Sequence, residues 1–234
     1  MNILILGGNG GIGRAIVDEC LNRYPEATIH ATFRLAQPEE VHNVVWYQVD
    51  VTQELEMEAL SQRIPKVDWI VNCIGLLHNE QHGPEKNVSA ISSDFFQQNI
   101  MTNTLPTLLL AKHFTPKLKL SASPKLATIS AKVGSISDNR LGGWYSYRAS
   151  KAALNMALKT LSIEWQRSVK NGVVLALHPG TTDTHLSKPF QARVPEGKLF
   201  TSQRVANDLL DIIENSSPEN SGKFFAYNGE ELSW

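Results

Sequence analysis

Residues 3–21 read ILILGGNGGIGRAIVDECL, and this stretch decides the fold. Its first four residues, Ile3 to Leu6, form a short apolar run that is typical of a buried strand and that glycines stop at once. The segment from Ile12 to Leu21 then carries apolar residues at helical spacing. The stretch therefore predicts a strand, a tight glycine turn and a helix.

The same alternation continues along the chain. The patterns predict further strands at residues 28–33, 44–49, 69–74, 125–130, 173–177 and 224–227. They predict helices at residues 55–64, 93–114, 145–167 and 202–214. Proline lacks a backbone N–H, so Pro106 should kink or break the helix that contains it. Strands that alternate with helices predict an α/β fold, a doubly wound and mostly parallel sheet with helices on both faces. No repeat or linker interrupts the pattern, which favours a single domain over residues 1–234.

The composition excludes several classes of protein. The 22 basic and 23 acidic residues give a net charge of −1, without the basic excess that is usual in nucleic-acid-binding proteins. No apolar run reaches the roughly 18 residues that a membrane span needs. The two cysteines, Cys20 and Cys73, are too few for a disulfide framework and favour reduced thiols in a cytoplasmic protein. The histidines show no recognisable metal-ligand spacing, so we expect no metal site.

The glycine turn indicates a ligand that carries phosphates. Gly7, Gly11 and Gly13 follow the spacing G-x-x-x-G-x-G between the first strand and the first helix. Glycines allow a sharp turn and a close approach to a pyrophosphate, and the free N–H groups of the following helix attract its charge. At the first junction of an alternating chain, this pattern predicts a dinucleotide-binding Rossmann fold. The predicted cofactor contacts in the turn are Gly7, Asn9, Gly10, Gly11, Ile12 and Gly13.

The residues after the second strand favour NADP(H) over NAD(H). An acidic residue about 20 positions after the glycines usually holds the ribose hydroxyl of NAD, but the count from Gly13 leads to Phe33. The next residue, Arg34, has a guanidinium that suits a ribose phosphate. Arg14 either adds a second positive charge or is a solvated helix residue. After the third strand, Asp50-Val51 is predicted to lie near the adenine, with a helix-capping role for the aspartate as the alternative.

The segment Tyr147-Arg148-Ala149-Ser150-Lys151 indicates catalysis. Tyr147 and Lys151 are four residues apart at the start of a predicted helix, so they project from one face. A phenol with an ordinary pKa near 10 is a poor acid or base at neutral pH, but a nearby ammonium favours its ionised form. Lysine can also hydrogen-bond the nicotinamide ribose. We therefore predict Tyr147 as the acid-base residue, assisted by Lys151.

These motifs together resemble the short-chain dehydrogenase/reductase family over nearly the whole chain. Leu6 to Gly13 is similar to its glycine motif, with Leu6 where threonine is commoner, and Tyr147 with Lys151 resembles its catalytic pair. Asn72-Cys73-Ile74-Gly75 resembles its N-N-A-G strand end. The P-G-x-x-x-T pattern is matched by Pro179, Gly180 and Thr184. Segments such as 130–134 and 144–147 are most similar to the branch of C-factor and sniffer-like carbonyl reductases.

The resemblance implies roles for further residues. The residues expected to contact the cofactor, besides Tyr147 and Lys151, are Asn72, Cys73, Gly75, Pro179, Gly180, Thr182 and Thr184. Asn103 fits the asparagine that carries a water in the family's proton relay, with Asn99 as a weaker substitute. Where the family usually has a substrate-binding serine, this chain has Ala131. Ser130 from a bulged strand end is the favoured replacement; Ser135 from the loop, or no serine at all, are the alternatives.

The expected function is that of an NADP(H)-dependent carbonyl reductase acting on a small-molecule carbonyl or alcohol. The substrate pocket should be lined by residues 76–83, 137–144 and 182–193. The alternatives are a nucleotide-binding signalling protein of C-factor type with weak or no turnover, and an NAD-linked alcohol dehydrogenase. The family resemblance implies a homodimer or homotetramer.

Overall fold

The computed structural model describes residues 1–234 and contains ten strands and six α-helices. The strands are β1 (Asn2–Leu6), β2 (Thr28–Phe33), β3 (Val44–Gln48), β4 (Trp69–Asn72), β5 (Lys125–Ile129), β6 (Val173–His178), β7 (Thr181–Thr182), β8 (Leu199–Phe200), β9 (Lys223–Ala226) and β10 (Glu231–Leu232). The helices are α1 (Gly11–Arg23), α2 (Glu54–Arg63), α3 (Ser93–Asn103), α4 (Leu105–Leu118), α5 (Tyr145–Ser168) and α6 (Ser202–Asn215).

Eight strands form one sheet in the order β10-β9-β6-β5-β4-β1-β2-β3. All of its neighbouring strands are parallel except β10, which is antiparallel to β9. The order reverses at β1, which pairs with β2 on one side and β4 on the other. Such a reversal leaves a crevice at the carboxyl ends of the strands, where doubly wound folds bind their ligands. The predicted α/β Rossmann fold class is confirmed.

Helices cover both faces because the central strands carry apolar residues on both sides. Ile3 and Ile5 of β1 face the cluster that contains the inner residues of α1 and α6. Leu4 and Leu6 face the opposite cluster, built with α2, α4 and α5. Each of these four side chains is fully buried. The sheet thus separates two apolar layers, and the continuous apolar pattern of β1 follows from burial on both faces.

The predicted long helix is divided into two. α3 ends at Asn103, and α4 begins at Leu105 with Pro106 in its first turn. A proline is tolerated in the first turn because the N–H that it lacks would have no partner inside the helix. Pro106 therefore produces the predicted break, which falls beside a predicted catalytic asparagine.

The short strands were the part of the fold that the patterns missed. β7 and β8 are two residues each and pair with one another, outside the main sheet. β10 is equally short. Runs of two residues carry no periodicity, so tertiary contacts alone define them. None of the helices is both long enough and apolar enough to cross a membrane.

Candidate active site

The glycine turn lies between β1 and α1, at the crevice where the strand order reverses. Gly7 has a φ of +70°, which other residues rarely adopt. A Cβ on Gly13 would lie 2.1 Å from the Gly7 carbonyl oxygen, so a side chain at Gly13 would force the turn open. Gly10 caps α1 without any side-chain hydrogen bond, which leaves the first turn of the helix open to an anion. The glycine-rich backbone and the uncapped start of α1 fit a pyrophosphate.

The segment after β6 closes over the same turn. A Cβ on Gly11 would come within 2.6 Å of the Thr184 methyl carbon, so these two predicted cofactor residues are in direct contact. Gly180 has a φ of +70° and turns the chain back after Pro179. Thr182 is buried in the short strand β7. The pairing of β7 with β8 holds this segment against the glycine turn.

Arg34 follows β2 directly and is exposed. No carboxylate oxygen lies within 4.0 Å of it, whereas Arg14 forms an ion pair with Asp18 at 2.9 Å. Arg34 is therefore available to a phosphate, and Arg14 is already paired within α1. The Asn9 side chain reaches across to the same loop, where its Nδ2 donates to the Ala36 carbonyl at 2.9 Å.

Asp50 follows β3, and its side chain turns back on its own loop. Its Oδ1 accepts hydrogen bonds from the Thr52 N–H at 3.0 Å and the Thr52 hydroxyl at 2.7 Å. Partial burial raises the pKa of Asp50, but the bonds from Thr52 and the charge of Arg34 outweigh it and lower the pKa overall. Gln53, not Asp50, is the cap of α2. The neighbouring Val51 is buried.

The end of β4 is fixed by side chains from α3 and α4. Asn72 is buried, donates to the Thr107 hydroxyl at 3.0 Å and accepts from the Ile74 N–H at 3.0 Å. Cys73 is half-buried, and burial raises the pKa of its thiol. The Asn72 side chain thus holds the strand end, and its predicted contact with a cofactor stays a prediction.

Asn103 makes a two-point contact with the segment after β4. Its Oδ1 accepts from the Leu76 N–H at 2.6 Å, and its Nδ2 donates to the Leu76 carbonyl at 2.9 Å. The same Nδ2 lies 2.8 Å from the Ser150 hydroxyl oxygen and 3.2 Å from Asn99 Oδ1. The side chain of Asn103 thus ties the helix break to both the strand end and α5. A local pattern would not have identified Ser150, because its partner lies 47 residues away.

Tyr147 and Lys151 lie on the first two turns of α5, facing the crevice. Their exposed fractions are 8% and 2%. The Lys151 Nζ lies 5.9 Å from the centroid of the Tyr147 ring and donates to the Ile129 carbonyl at 2.9 Å. A Cβ on Gly75 would lie 3.7 Å from the Lys151 Nζ and 3.8 Å from the Asn103 Oδ1. Lys151 and Asn103 therefore converge on the glycine at the end of the β4 segment.

Burial governs the protonation of this pair. It raises the pKa of the Tyr147 hydroxyl well above its ordinary value, and it lowers the pKa of Lys151 to about 7. The sequence led us to expect that the Lys151 ammonium lowers the pKa of Tyr147. In the folded chain, burial raises this pKa instead. The phenol is therefore protonated near neutral pH, the form that can donate a proton.

The serines near the end of β5 have partners other than Tyr147. Ser130 is buried, and its hydroxyl donates to Asn155 Oδ1 at 2.6 Å. The Ser135 hydroxyl accepts from the Asp138 N–H at 3.2 Å and lies 3.4 Å from the Ser137 hydroxyl. The bond to Asn155 counts against a direct role for Ser130, because a hydroxyl has a single proton to donate.

A group of aromatic rings extends from Tyr147 through Trp144. The Trp144 ring lies 6.2 Å from the Tyr147 ring and 5.6 Å from the Phe190 ring, measured between centroids. The His78 ring lies 5.8 Å from Phe190 and 6.1 Å from His185. The three segments predicted to line the substrate pocket thus each contribute a ring to this group, which we call the aromatic wall: Trp144, Phe190, His78 and His185.

His178, at the end of β6, is a separate structural histidine. Its Nδ1 accepts from the Lys132 N–H at 3.3 Å. Burial, and then the charge of Lys132, lower the pKa of His178 to about 4. No group of three or more His, Cys, Asp or Glu side chains is arranged to hold a metal ion.

The comparisons with known proteins agree on one family. A family model described as short chain dehydrogenase matches residues 1–194. A 1-hydroxy-2-glutathionyl-2-methyl-3-butene dehydrogenase of Rhodococcus is 32% identical over 237 residues, which cover 99% of each chain. The C-signal protein of Myxococcus xanthus is 34% identical over 132 residues, or 56% of this chain and 74% of that protein.

Solved structures share the fold. An NADPH-bound carbonyl reductase from chicken fatty liver superposes with a TM-score of 0.87 at 24% identity, covering all of this chain and 94% of that one. The carbonyl reductase Sniffer of D. melanogaster gives a TM-score of 0.84 at 23% identity, covering all of this chain and 99% of that one.

Proposed function

The chain belongs to the short-chain dehydrogenase family, and we propose that it is an NADP(H)-dependent oxidoreductase that transfers a hydride between the nicotinamide and a carbonyl or alcohol. One observation carries the proposal: Tyr147 and Lys151 are buried side by side at the crevice that the glycine turn opens. A carbonyl reductase needs a proton donor, a cation and a dinucleotide cradle in one place. The carbonyl reductase structure from chicken fatty liver contains NADPH, and a structurally similar protein from Burkholderia multivorans contains NADP.

The proposed binding residues form three groups, one for each part of the cofactor. The glycine turn, from Gly7 to Gly13, would hold the pyrophosphate at the start of α1. Arg34 would bind the ribose phosphate, and Asp50 with Val51 would lie near the adenine. The nicotinamide end would lie among Asn72, Cys73, Gly75, Lys151, Pro179, Gly180, Thr182 and Thr184. When bound, the dinucleotide supplies or accepts the hydride.

In the reduction direction, the Tyr147 hydroxyl donates its proton to the carbonyl oxygen. The raised pKa keeps that proton in place until negative charge develops on the oxygen, which then draws it across. The Lys151 ammonium would stabilise the phenolate that remains and would hydrogen-bond the ribose of a bound cofactor. Asn103 holds the strand end beside Lys151 and, as in the family relay, would position a water that returns a proton to the site.

Ser130 remains a predicted donor to the substrate oxygen, but its bond to Asn155 favours a site that works without a serine. In that arrangement Tyr147 alone polarises the carbonyl. The aromatic wall would then orient the substrate by packing, since the apolar rings of Trp144 and Phe190 lie beside the phenol.

NADPH oxidation, measured with a panel of aldehydes, ketones and quinones, tests the proposal. We expect turnover with at least one class, and tighter binding of NADPH than of NADH. Arg34→Asp should reverse that preference, whereas the control Arg167→Asp, on an exposed residue at the far end of α5, should leave both affinities unchanged. NADH binding more tightly to the unaltered protein would instead support the NAD-linked alternative.

A signalling role is the second candidate, and the similarity to C-signal favours it. The alanine at position 131 is consistent with weakened catalysis. Two results together would favour this role over the reductase. The protein would bind NADPH tightly without turning over any compound of the panel, and Tyr147→Phe would leave that binding unchanged.

A further inference from the structure

Glu85 is the one buried acidic side chain of the protein, with an exposed fraction of 4%. It lies in the loop between β4 and α3, and no Lys, Arg or His nitrogen lies within 4.0 Å of its carboxylate. A buried carboxylate without a paired cation is destabilising unless hydrogen bonds hold its charge. The hydrogen-bond partners of Glu85 therefore show what stabilises its carboxylate.

Those partners are at the start of the catalytic helix. One carboxylate oxygen accepts from the Ser146 N–H at 3.1 Å, and the other accepts from the Ser146 hydroxyl. The Glu85 carbonyl accepts from the Trp144 N–H at 2.5 Å. The cap residue of α5, Trp144, makes no side-chain capping bond of its own. Glu85 thus caps α5 from 61 residues away and places a negative charge at the positive end of the helix.

The turn before α5 depends on this contact. Gly142, Gly143 and Trp144 have φ values of +64°, +65° and +54° in succession. A bulky residue such as tryptophan adopts that conformation only where its surroundings hold it there. A Cβ on Gly143 would lie 3.2 Å from the Glu85 carbonyl oxygen, so the turn packs directly on the loop.

We propose that Glu85 is a positioning residue that sets the placement of Tyr147 and of the Trp144 ring. Ser146, whose N–H and hydroxyl it holds, is the residue before Tyr147, and Trp144, whose N–H it holds, contributes the ring nearest the phenol. Loss of the carboxylate frees Ser146 in the first turn of α5, and the adjacent Tyr147 ring then moves relative to the glycine-lined crevice and to the Trp144 ring, which the Glu85 carbonyl still holds. This inference rests on the proposed function for its catalytic consequence, but not for its structural one.

Two measurements on Glu85→Ala and Glu85→Gln test the proposal. By NMR hydrogen exchange, Glu85→Ala should lose protection at the Ser146 amide by about tenfold or more, the worth of one hydrogen bond to a charged group. Its kcat should fall by about 10- to 100-fold, the cost of a displaced catalytic group, while the Kd for NADPH stays unchanged. Glu85→Gln should recover most of the kcat, because its amide oxygen still accepts from Ser146.

Asp68→Ala is the matched control. The Asp68 carboxylate also accepts a hydrogen bond from a backbone N–H, that of Asn2 at 2.8 Å, and its side chain is only 14% exposed. Asp68 lies at the amino-terminal ends of the parallel strands, whereas the proposed site lies at their carboxyl ends. This variant should lose stability without losing kcat. Unchanged exchange at Ser146 in Glu85→Ala, or an equal loss of kcat in Asp68→Ala, would overturn the proposal. If the unaltered protein shows no turnover, the proposed function fails and the exchange measurement alone decides the role of Glu85.

Discussion

Ser130 and Ala131 are adjacent, and consecutive residues of an extended chain point to opposite faces. Ser130 is directed to Asn155 on the inner face of α5, and Ala131 has an extended backbone conformation just before the Lys132–Gly134 turn. The sequence could narrow the choice to Ser130, Ser135 or no serine, but it could not decide, because a bulge would have exchanged the faces. The partner of each hydroxyl is information that only the folded chain contains.

These contacts predict opposite results for two substitutions. Ser130→Ala should leave kcat within about threefold of the unaltered protein, whereas removal of a true substrate-oxygen donor costs about 100- to 1000-fold. Ala131→Ser should raise kcat, because it places a hydroxyl on the face that Ser130 does not occupy. Steady-state NADPH oxidation measures both. A loss of 100-fold or more in Ser130→Ala would restore Ser130 as the donor.

Burial of Lys151 should make stability depend on pH. Its pKa is lowered from 10.5 to about 7, so the unfolded chain binds more protons than the folded chain between these values, and stability rises with pH across that window. Lys151→Met should therefore be more stable than the unaltered protein below about pH 7, and this difference should shrink as the pH rises towards about 10. Thermal unfolding followed from pH 6 to about pH 10 checks this. A difference in Tm that does not shrink as the pH rises would contradict it.

At the scale of elements, the strands and helices were predicted well because apolar spacing is a local property of the chain. The break at Pro106 was also predictable from local sequence, because proline lacks the backbone N–H that a continuous helix needs. The contacts that build the site are not local: Asn103 meets Leu76 across 27 residues, and Glu85 meets Ser146 across 61. Glu85 stands in a polar loop without any periodic pattern, so no sequence feature could distinguish it from a solvated acid.

The β1-α1 turn should be intolerant of a side chain at Gly13. Gly13→Ala places a methyl group against the Gly7 carbonyl, so we expect a loss of about 2–4 kcal/mol in the free energy of unfolding and much weaker NADPH binding. Gly83→Ala is the control, because a Cβ there meets nothing within 4 Å and should change stability by less than about 0.5 kcal/mol. Denaturant unfolding and cofactor titration measure both. Equal behaviour of the two variants would show that the turn is not packed as described.

At the scale of the whole molecule, both apolar layers pack on the same sheet. The sheet has one half on each side of the reversal, β1-β2-β3 and β4-β5-β6-β9-β10, and the two halves are joined by the pairing of β1 with β4. Neither half can lose its strands without exposing the other. We therefore propose that residues 1–234 unfold as one unit, as the unbroken alternation of elements predicts.

This arrangement predicts a single unfolding transition that a cofactor shifts as a whole. NADPH at about 100 times its Kd should stabilise the fold by about 2.7 kcal/mol, or roughly 5–10 °C in Tm, and NADH at the same concentration should stabilise it less. Circular dichroism and tryptophan fluorescence should report the same midpoint. Two separate transitions, with NADPH moving only the first, would contradict a single unit.

The most direct test of the central claim, that Tyr147 donates the proton beside a bound nicotinamide, is the comparison of Tyr147→Phe with the unaltered protein. The hydroxyl has no hydrogen-bond partner within the chain, so its removal should leave the fold and the Kd for NADPH nearly unchanged. The kcat for carbonyl reduction should fall by at least about 100-fold, the usual contribution of a positioned acid. Full turnover by Tyr147→Phe, with NADPH still bound, would contradict the account.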